Sequence, residues 1–188
     1  MVIGDELAHR GVGGVTLRLA VAGDVLRLIE VESDAGEMFR TVGLDAIADE
    51  EPDGPEALQP HIEDGTAWVA ELDGKVIGYA LASIVDGQAH LVQVSVIGAA
   101  QGSGVGRSLI EQVEGWGREQ RLRSITLTTF ADVPWNAPYY ARLGYSPVAE
   151  GELSPGLAAI RTAEVAGGLD LRPRIVMRKR LGTEDGAT

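Results

Sequence analysis

The chain has 188 residues, with 16 basic against 28 acidic side chains and a formal charge of −12. This length suits one domain with a sizeable core. The acidic balance (pI near 4.6) argues against the broad electrostatic grip on nucleic acid or anionic lipid that Lys and Arg supply. A hydrophobic content of 45% with mean hydropathy of +0.04 excludes a disordered chain. Cysteine is absent, which excludes disulfides, thiolate nucleophiles and Cys-rich metal sites, and His9, His61 and His90 stand in no paired spacing, so no metal is expected. No apolar run approaches the ~20 residues of a membrane span. Residues 1–14 lack the basic-then-apolar order of a signal peptide, so a cytoplasmic location is expected.

In chain order, residues 1–14 read as a flexible leader and Thr16–Val21 as a short strand. Ala22 to about Val42 reads as helix, with Leu26, Ile29, Glu30 and Ser33 at helical spacing. An acidic, proline-bearing stretch, Asp49–Glu56, precedes a short helix over 57–63. Three strands follow, over 66–72, 75–85 and 89–97, joined by Asp73-Gly74 and Asp86-Gly87, the pairs that two-residue hairpins favour. A helix over 105–120 presents Val105, Leu109, Val113 and Trp116 along one face. A strand over 124–130 and a short helix over 134–143, stopped by Gly144, come next. A strand over 145–149 leads to a candidate helix begun by Ser154 as cap with Pro155 at its first position and ended by Gly167-Gly168. A last strand, 174–181, bears the basic run Arg172, Arg174, Arg178, Lys179 and Arg180, and 182–188 is a polar tail. Hairpins first and strand–helix–strand later imply an α/β or α+β fold with a mixed sheet.

Glycine is over-represented, 25 of 188, where about 7% is usual. The densest cluster is Gln101-Gly102-Ser103-Gly104-Val105-Gly106, between a strand and an amphipathic helix. Glycines there admit close approach to the backbone, and the amides of a helix start attract anions, so a phosphate or pyrophosphate is the natural guest. A dinucleotide loop would need Gly at 107, where Arg107 stands; a P-loop lacks its lysine. A bare connecting turn is the remaining structural alternative. The pattern [RQ]-x-x-G-x-[GA] is met in full by Gln101, Gly104 and Gly106.

That pattern resembles the acyl-CoA pyrophosphate loop of the GNAT N-acetyltransferase family. A second segment, Asn136-Ala137-Pro138-Tyr139-Tyr140-Ala141-Arg142-Leu143-Gly144-Tyr145, resembles the family's Asn before a helix ending in Tyr-x-[KR]-Leu-Gly-[Phe/Tyr]. The order of elements from Thr16 to Leu181 agrees. The resemblance implies one GNAT domain over 15–181, a mixed sheet of six to seven strands flanked by helices, with a helical insertion at 154–168. It implies acetyl-CoA as cosubstrate and an amine acceptor, and a homodimer is compatible; no metal, nucleic acid or membrane partner is expected from the composition and charge. Val94, Ser95 and Val96 would pair through their backbone with pantetheine. The amides of Gln101, Gly102, Ser103, Gly104, Val105 and Gly106 would hold the pyrophosphate. Ser108 would add a hydroxyl, Asn136 a side-chain bond to the pantetheine arm, and Tyr140 the proton for the departing thiolate.

The chain departs from the family at three places. Gly98 stands where proline is frequent, and the strand before the loop carries Val92 and Gln93 where many members place a Glu base. His90 is then the leading candidate base, with Glu32, Asp34, Glu37 and Glu71 behind it. The insertion would roof the acceptor site or form a dimer surface. The acidic 49–56 segment would draw a cationic amine. The missing Glu keeps a non-catalytic CoA-binding regulatory module open as the alternative reading, and a nucleotide-binding site is a third.

Overall fold

The computed structural model describes residues 9–10 and 14–182. Most of the predicted leader and all of the tail beyond Gly182 lie outside them. Two compact units are present: one reaches to Ala82 and includes Gln93–Val113, the other comprises Ser83–Val92 and the chain from Glu114 onward.

The first unit holds β1 (His9–Arg10), β2 (Thr16–Leu19), β3 (Ala67–Leu72), most of β4 (Lys75–Val85) and the end of β5 (Gln88–Val96), hydrogen-bonded in that order. The leader is therefore not all outside the sheet: His9 and Arg10 pair with Leu17 and Thr16. Asp73 and Gly74 take φ of 49° and 75°, and Asp86 and Gly87 take 50° and 73°, the left-handed pairs the two hairpins require. α1 (Val25–Gly36) continues through a 3₁₀ segment, Glu37–Val42, to α2 (Asp45–Ala48) and α3 (Pro55–Glu63). Val25, Leu28, Val31 and Leu58 from these helices bury against Val69, Val76, Tyr79 and Leu81 of the sheet. The buried face of α1 is thus Val25–Leu28–Val31. The spacing of Leu26, Ile29, Glu30 and Ser33 predicts a different face, but Leu26 is 74% exposed.

The opposite face of this sheet receives α4 (Val105–Glu119), whose Val105, Leu109 and Val113 are buried as its spacing predicts, with Ile110 buried beside them and Trp116 half-buried. Gly78 permits this approach. A Cβ there would lie 2.9 Å from the Ser95 carbonyl oxygen and 3.3 Å from a Leu109 methyl. Alternation along the strands places Tyr79, Gln93 and Ser95 on the α1 side.

In the second unit β5 pairs with β6 (Ser124–Phe130) in parallel, at Ala89↔Ile125 and His90↔Thr126. β8 (Arg174–Arg180) runs antiparallel to β6 over its whole length, and β7 (Ser146–Pro147) flanks β8. Among the described residues, six strands of four or more residues and two of two residues make the mixed sheet, flanked by helices. α5 (Ala137–Arg142) ends at Gly144, whose φ is 91°. The predicted insertion helix is α6 (Pro155–Ala166), and it belongs to this unit's own core: Leu157 is 2% exposed and packs on Val148 and Val176. Ser154 makes no side-chain cap bond across the first turn, contrary to expectation. Instead the Gly156 N–H donates to the Asp86 carboxylate at 2.7 Å, so the second hairpin's turn residue serves that helix start. Among the described residues no helix is long and apolar enough to cross a membrane.

Candidate active site

The glycine loop lies in the first unit. A 3₁₀ turn, Gly98–Ala100, leaves β5, and the chain then enters α4. Gly102 and Gly104 take φ of 74° and 93°, and a Cβ at either would meet nothing within 4 Å. The loop therefore combines backbone that only glycine adopts cheaply with open space before it. Ser108 N–H donates to Gly104 O at 3.0 Å, the first turn of α4, so the amides just before it have no partner within the helix. The dipole of a fifteen-residue helix makes this end attractive to an anion.

The predicted loop side chains hold the loop rather than face outward. Gln101 Nε2 donates to Val96 O at 3.1 Å, tying the loop to the end of β5. Ser103 Oγ donates to Ala100 O at 2.5 Å. Gly98 N–H donates to Asp34 Oδ1 at 2.5 Å. Proline, with no N–H, could not make that bond, which accounts physically for its absence at this position.

The same unit contains a polar cluster on the α1 side of β4 and β5. Tyr79 is fully buried, and its hydroxyl donates to Glu32 Oε2 at 2.7 Å. Gln93 and the Asp53 backbone N–H also donate to Glu32. Gln93 reaches Ser95 Oγ at 3.2 Å as well. Burial dominates at Glu32 and, with the nearby Asp53 carboxylate, lifts its carboxyl above the usual range against the opposing hydrogen bonds. The other carboxylates considered from the sequence are engaged elsewhere: Glu71 with Arg18 at 2.9 Å, Glu37 with Arg40 at 2.9 Å, and Asp34 with Gly98.

In the second unit, Asn136 precedes α5 and donates from Nδ2 to Thr129 Oγ1 at 2.8 Å. Its Oδ1 is buried and has no hydrogen-bond partner among the described residues. A buried, orphaned acceptor is costly unless a ligand donor completes it. Tyr140, 8% exposed, stands edge-on to both Tyr139 and Tyr145, with centroids 5.7 Å apart in each case. Burial raises its phenol further above the ordinary value, so it stays protonated. Tyr145 is structural: its hydroxyl donates to Glu114 at 3.0 Å, and Glu114, 2% exposed, also receives Lys179 at 2.7 and 2.8 Å.

His90 is buried at 4% exposure, its Nδ1 2.9 Å from Thr126 Oγ1. Burial lowers its pKa to about 4, against a smaller opposing effect of Glu164. Such an imidazole is neutral at pH 7 but a poor acceptor for an ammonium proton. Glu164 itself, on α6, is held by Arg174, Arg161 and Thr128. The basic run divides by strand alternation: Lys179 turns to Glu114, while Arg178 and Arg180, with Arg123 and Ser124, line a surface depression. No cluster of three or more His, Asp or Glu suited to a metal ion occurs among the described residues.

Loop, sheet order and the asparagine–tyrosine helix define an acyl-CoA acetyltransferase fold. The acetyltransferase (GNAT) family matches residues 30–145, more than half of the chain, and the protein belongs to that family. An uncharacterized N-acetyltransferase of Methanocaldococcus jannaschii is 37% identical over 49 residues; the match spans 26% of this chain and about a third (31%) of that relative. Among solved structures, N-acetylglutamate synthase from Neisseria gonorrhoeae, complexed with coenzyme A and N-acetyl-glutamate, is similar at a TM-score of 0.66 and 19% identity. That match covers 89% of this chain and 35% of the synthase. PaiA N-acetyltransferase from Thermoplasma acidophilum, in complex with coenzyme A, gives 0.64 at 15% identity, over 88% of this chain and 98% of that one. Ribosomal-protein-alanine N-acetyltransferase from Brucella melitensis gives 0.64 at 22%, over 88% and 99%.

Proposed function

We propose that the protein is an acetyl-CoA-dependent N-acetyltransferase of the cytoplasm, moving the acetyl group to a primary amine of a small molecule or protein by direct attack. The observation that carries this reading is the glycine loop, with Gly102 and Gly104 left-handed and open space before the amides that begin α4. Residues 101–106 hold the pyrophosphate through these amides, and Ser108 adds its hydroxyl. Val94, Ser95 and Val96 offer backbone groups to the pantetheine amides; the β5–β6 ladder supports this, since its two rungs end at His90. Asn136 fits the arm because its buried Oδ1 lacks a donor that a pantetheine N–H would supply.

Acetyl-CoA, when bound, supplies the activated acyl carbon. The neutral amine nitrogen attacks it, the C–N bond forms, the C–S bond breaks, the thiolate takes a proton from the Tyr140 hydroxyl, and the proton the nitrogen loses as the amide forms restores the phenol. A phenol kept neutral by burial is a donor at every physiological pH. The test pairs two measurements on the wild-type protein: calorimetric titration with CoA, and release of free thiol from acetyl-CoA with a panel of alkylamines, diamines and peptides. Binding with thiol release is expected. Absence of CoA binding overturns the reading. Binding without thiol release from any amine favours a CoA-binding regulatory module.

A further inference from the structure

We infer that Glu32 is the group that takes the proton from the acceptor's ammonium, held in place by Tyr79 and Gln93. This rests on the acetyltransferase reading above and names a residue of its site. The sequence offers no carboxylate at Val92 or Gln93. The fold brings one to Gln93 from another element: Glu32, on α1, receives the Gln93 amide, the Tyr79 hydroxyl at 2.7 Å and the Asp53 backbone N–H.

The location is specific in three respects. Gln93 immediately precedes Val94–Val96, the backbone assigned to pantetheine, so the carboxylate is bonded to the strand along which the thioester would lie. Ser95 lies in the same cluster, accepting from Gln93 at 3.2 Å and donating to the Tyr79 oxygen. Glu32 is half-buried, neither sealed in the core as His90 is nor spent on an arginine as Glu71 and Glu37 are. The groups facing it are Tyr79 from β4, Gln93 from β5, and Asp53 from the acidic segment before α3. None is a cation, so the carboxylate is not committed to an ion pair within this cluster. Burial raises its pKa, which strengthens it as a base.

The proton balance is complete. The ammonium gives one proton to the Glu32 carboxylate before attack. Tyr140 gives its hydroxyl proton to the departing sulfur, and the second proton, which the nitrogen gives up as the amide forms, restores the Tyr140 phenol. The proton on Glu32 leaves to water, restoring the carboxylate.

The experiment compares wild type, Glu32→Gln, Glu32→Asp and Tyr79→Phe, each checked by circular dichroism. Thiol release is followed against pH, CoA affinity by calorimetry, and the Glu32 carboxyl by carbon-13 NMR in the CoA-bound protein during titration with each amine of the panel. Expected are a fall in kcat/KM of about a hundredfold or more in Glu32→Gln, loss of the acidic limb of its pH profile, and unchanged CoA affinity. Glu32→Asp recovers part of the rate with the limb retained. Tyr79→Phe moves the limb to higher pH, because a donor to the carboxylate is gone. A folded Glu32→Gln enzyme with wild-type rate and pH profile overturns the assignment. So does a Glu32 carboxyl signal that no amine displaces. Failure of the wild-type protein to bind CoA instead removes the underlying acetyltransferase reading.

Discussion

Gly104→Ala isolates the proposed pyrophosphate loop. Gly104 has φ of 93°, a conformation costing an L-residue about 1–2 kcal/mol. The added methyl meets no protein atom within 4 Å, so backbone strain, not a clash, is the cost in the free protein. The strain is relieved if the loop rotates, and rotation turns its amides away from an anion in front of α4. Losing 1–2 kcal/mol at that contact raises the dissociation constant for CoA about 5- to 30-fold. Gly43→Ala is the control: its φ is 74° and its Cβ would also meet nothing within 4 Å, but it terminates the 3₁₀ segment before α2. Both variants should melt a few degrees lower, and only Gly104→Ala should weaken CoA. Calorimetric titration with CoA and with pantetheine, which lacks the pyrophosphate, completes the design. Pantetheine affinity should be unchanged. If Gly104→Ala binds CoA as wild type does, or weakens pantetheine equally, the loop does not hold the pyrophosphate.

Three other outcomes follow from the second unit. Tyr140→Phe removes the proposed proton donor while keeping the ring between Tyr139 and Tyr145; turnover should fall by about a hundredfold with CoA affinity unchanged, and an unchanged kcat would remove Tyr140 from the proton path. Asn136→Ala removes the orphaned acceptor, and the loss of one hydrogen bond of about 1 kcal/mol should weaken both CoA and pantetheine some fivefold; equal affinity for wild type and variant would mean the oxygen is not completed by the arm. His90 gives a pH signature of stability. Its folded pKa of about 4 lies below the unfolded value near 6.5, so the unfolded chain binds the extra proton between them. The stabilisation is present above pH 6.5, falls as pH drops toward 4, and amounts to roughly 3 kcal/mol across that window. Urea denaturation at pH 7 and pH 4.5 should show this loss, reduced in His90→Gln; identical pH slopes for the two proteins would refute it.

Features set by neighbouring residues were legible from the sequence. Asp73-Gly74 and Asp86-Gly87 encode their turns locally, and both adopt the paired positive φ that the dipeptides favour. The α4 face was legible because Val105, Leu109 and Val113 leave one apolar stripe. The α1 face was not: Val25, Leu28 and Val31 compete with Leu26 and Ile29 for the same helical period, and only packing on Val69 and Tyr79 decides between them. Ser154 had the right chemistry for a helix cap, but Asp86, seventy positions away from the amide it receives, takes that place. Nothing in local spacing announces such a partner.

The same distinction explains how the proposed base escapes the sequence. Candidates in the strand before the loop were read by position, and that strand supplies His90, Val92 and Gln93. His90 sits in the buried ladder opposite Thr126, where an ionised imidazole is penalised. Val92 carries no ionisable group. Gln93 is an amide, yet its position on the strand is the one that meets α1, and its side chain bonds Glu32 there. The carboxylate absent from β5 is thus present in space, carried by a helix 61 residues earlier in the chain and oriented by Tyr79 from β4. A sequence pattern tied to one strand cannot register a group that reaches the strand through its side chains. Three elements had to be assembled before Glu32 could be separated from Asp34, Glu37 and Glu71, which are equally acidic on paper and engaged elsewhere in the fold.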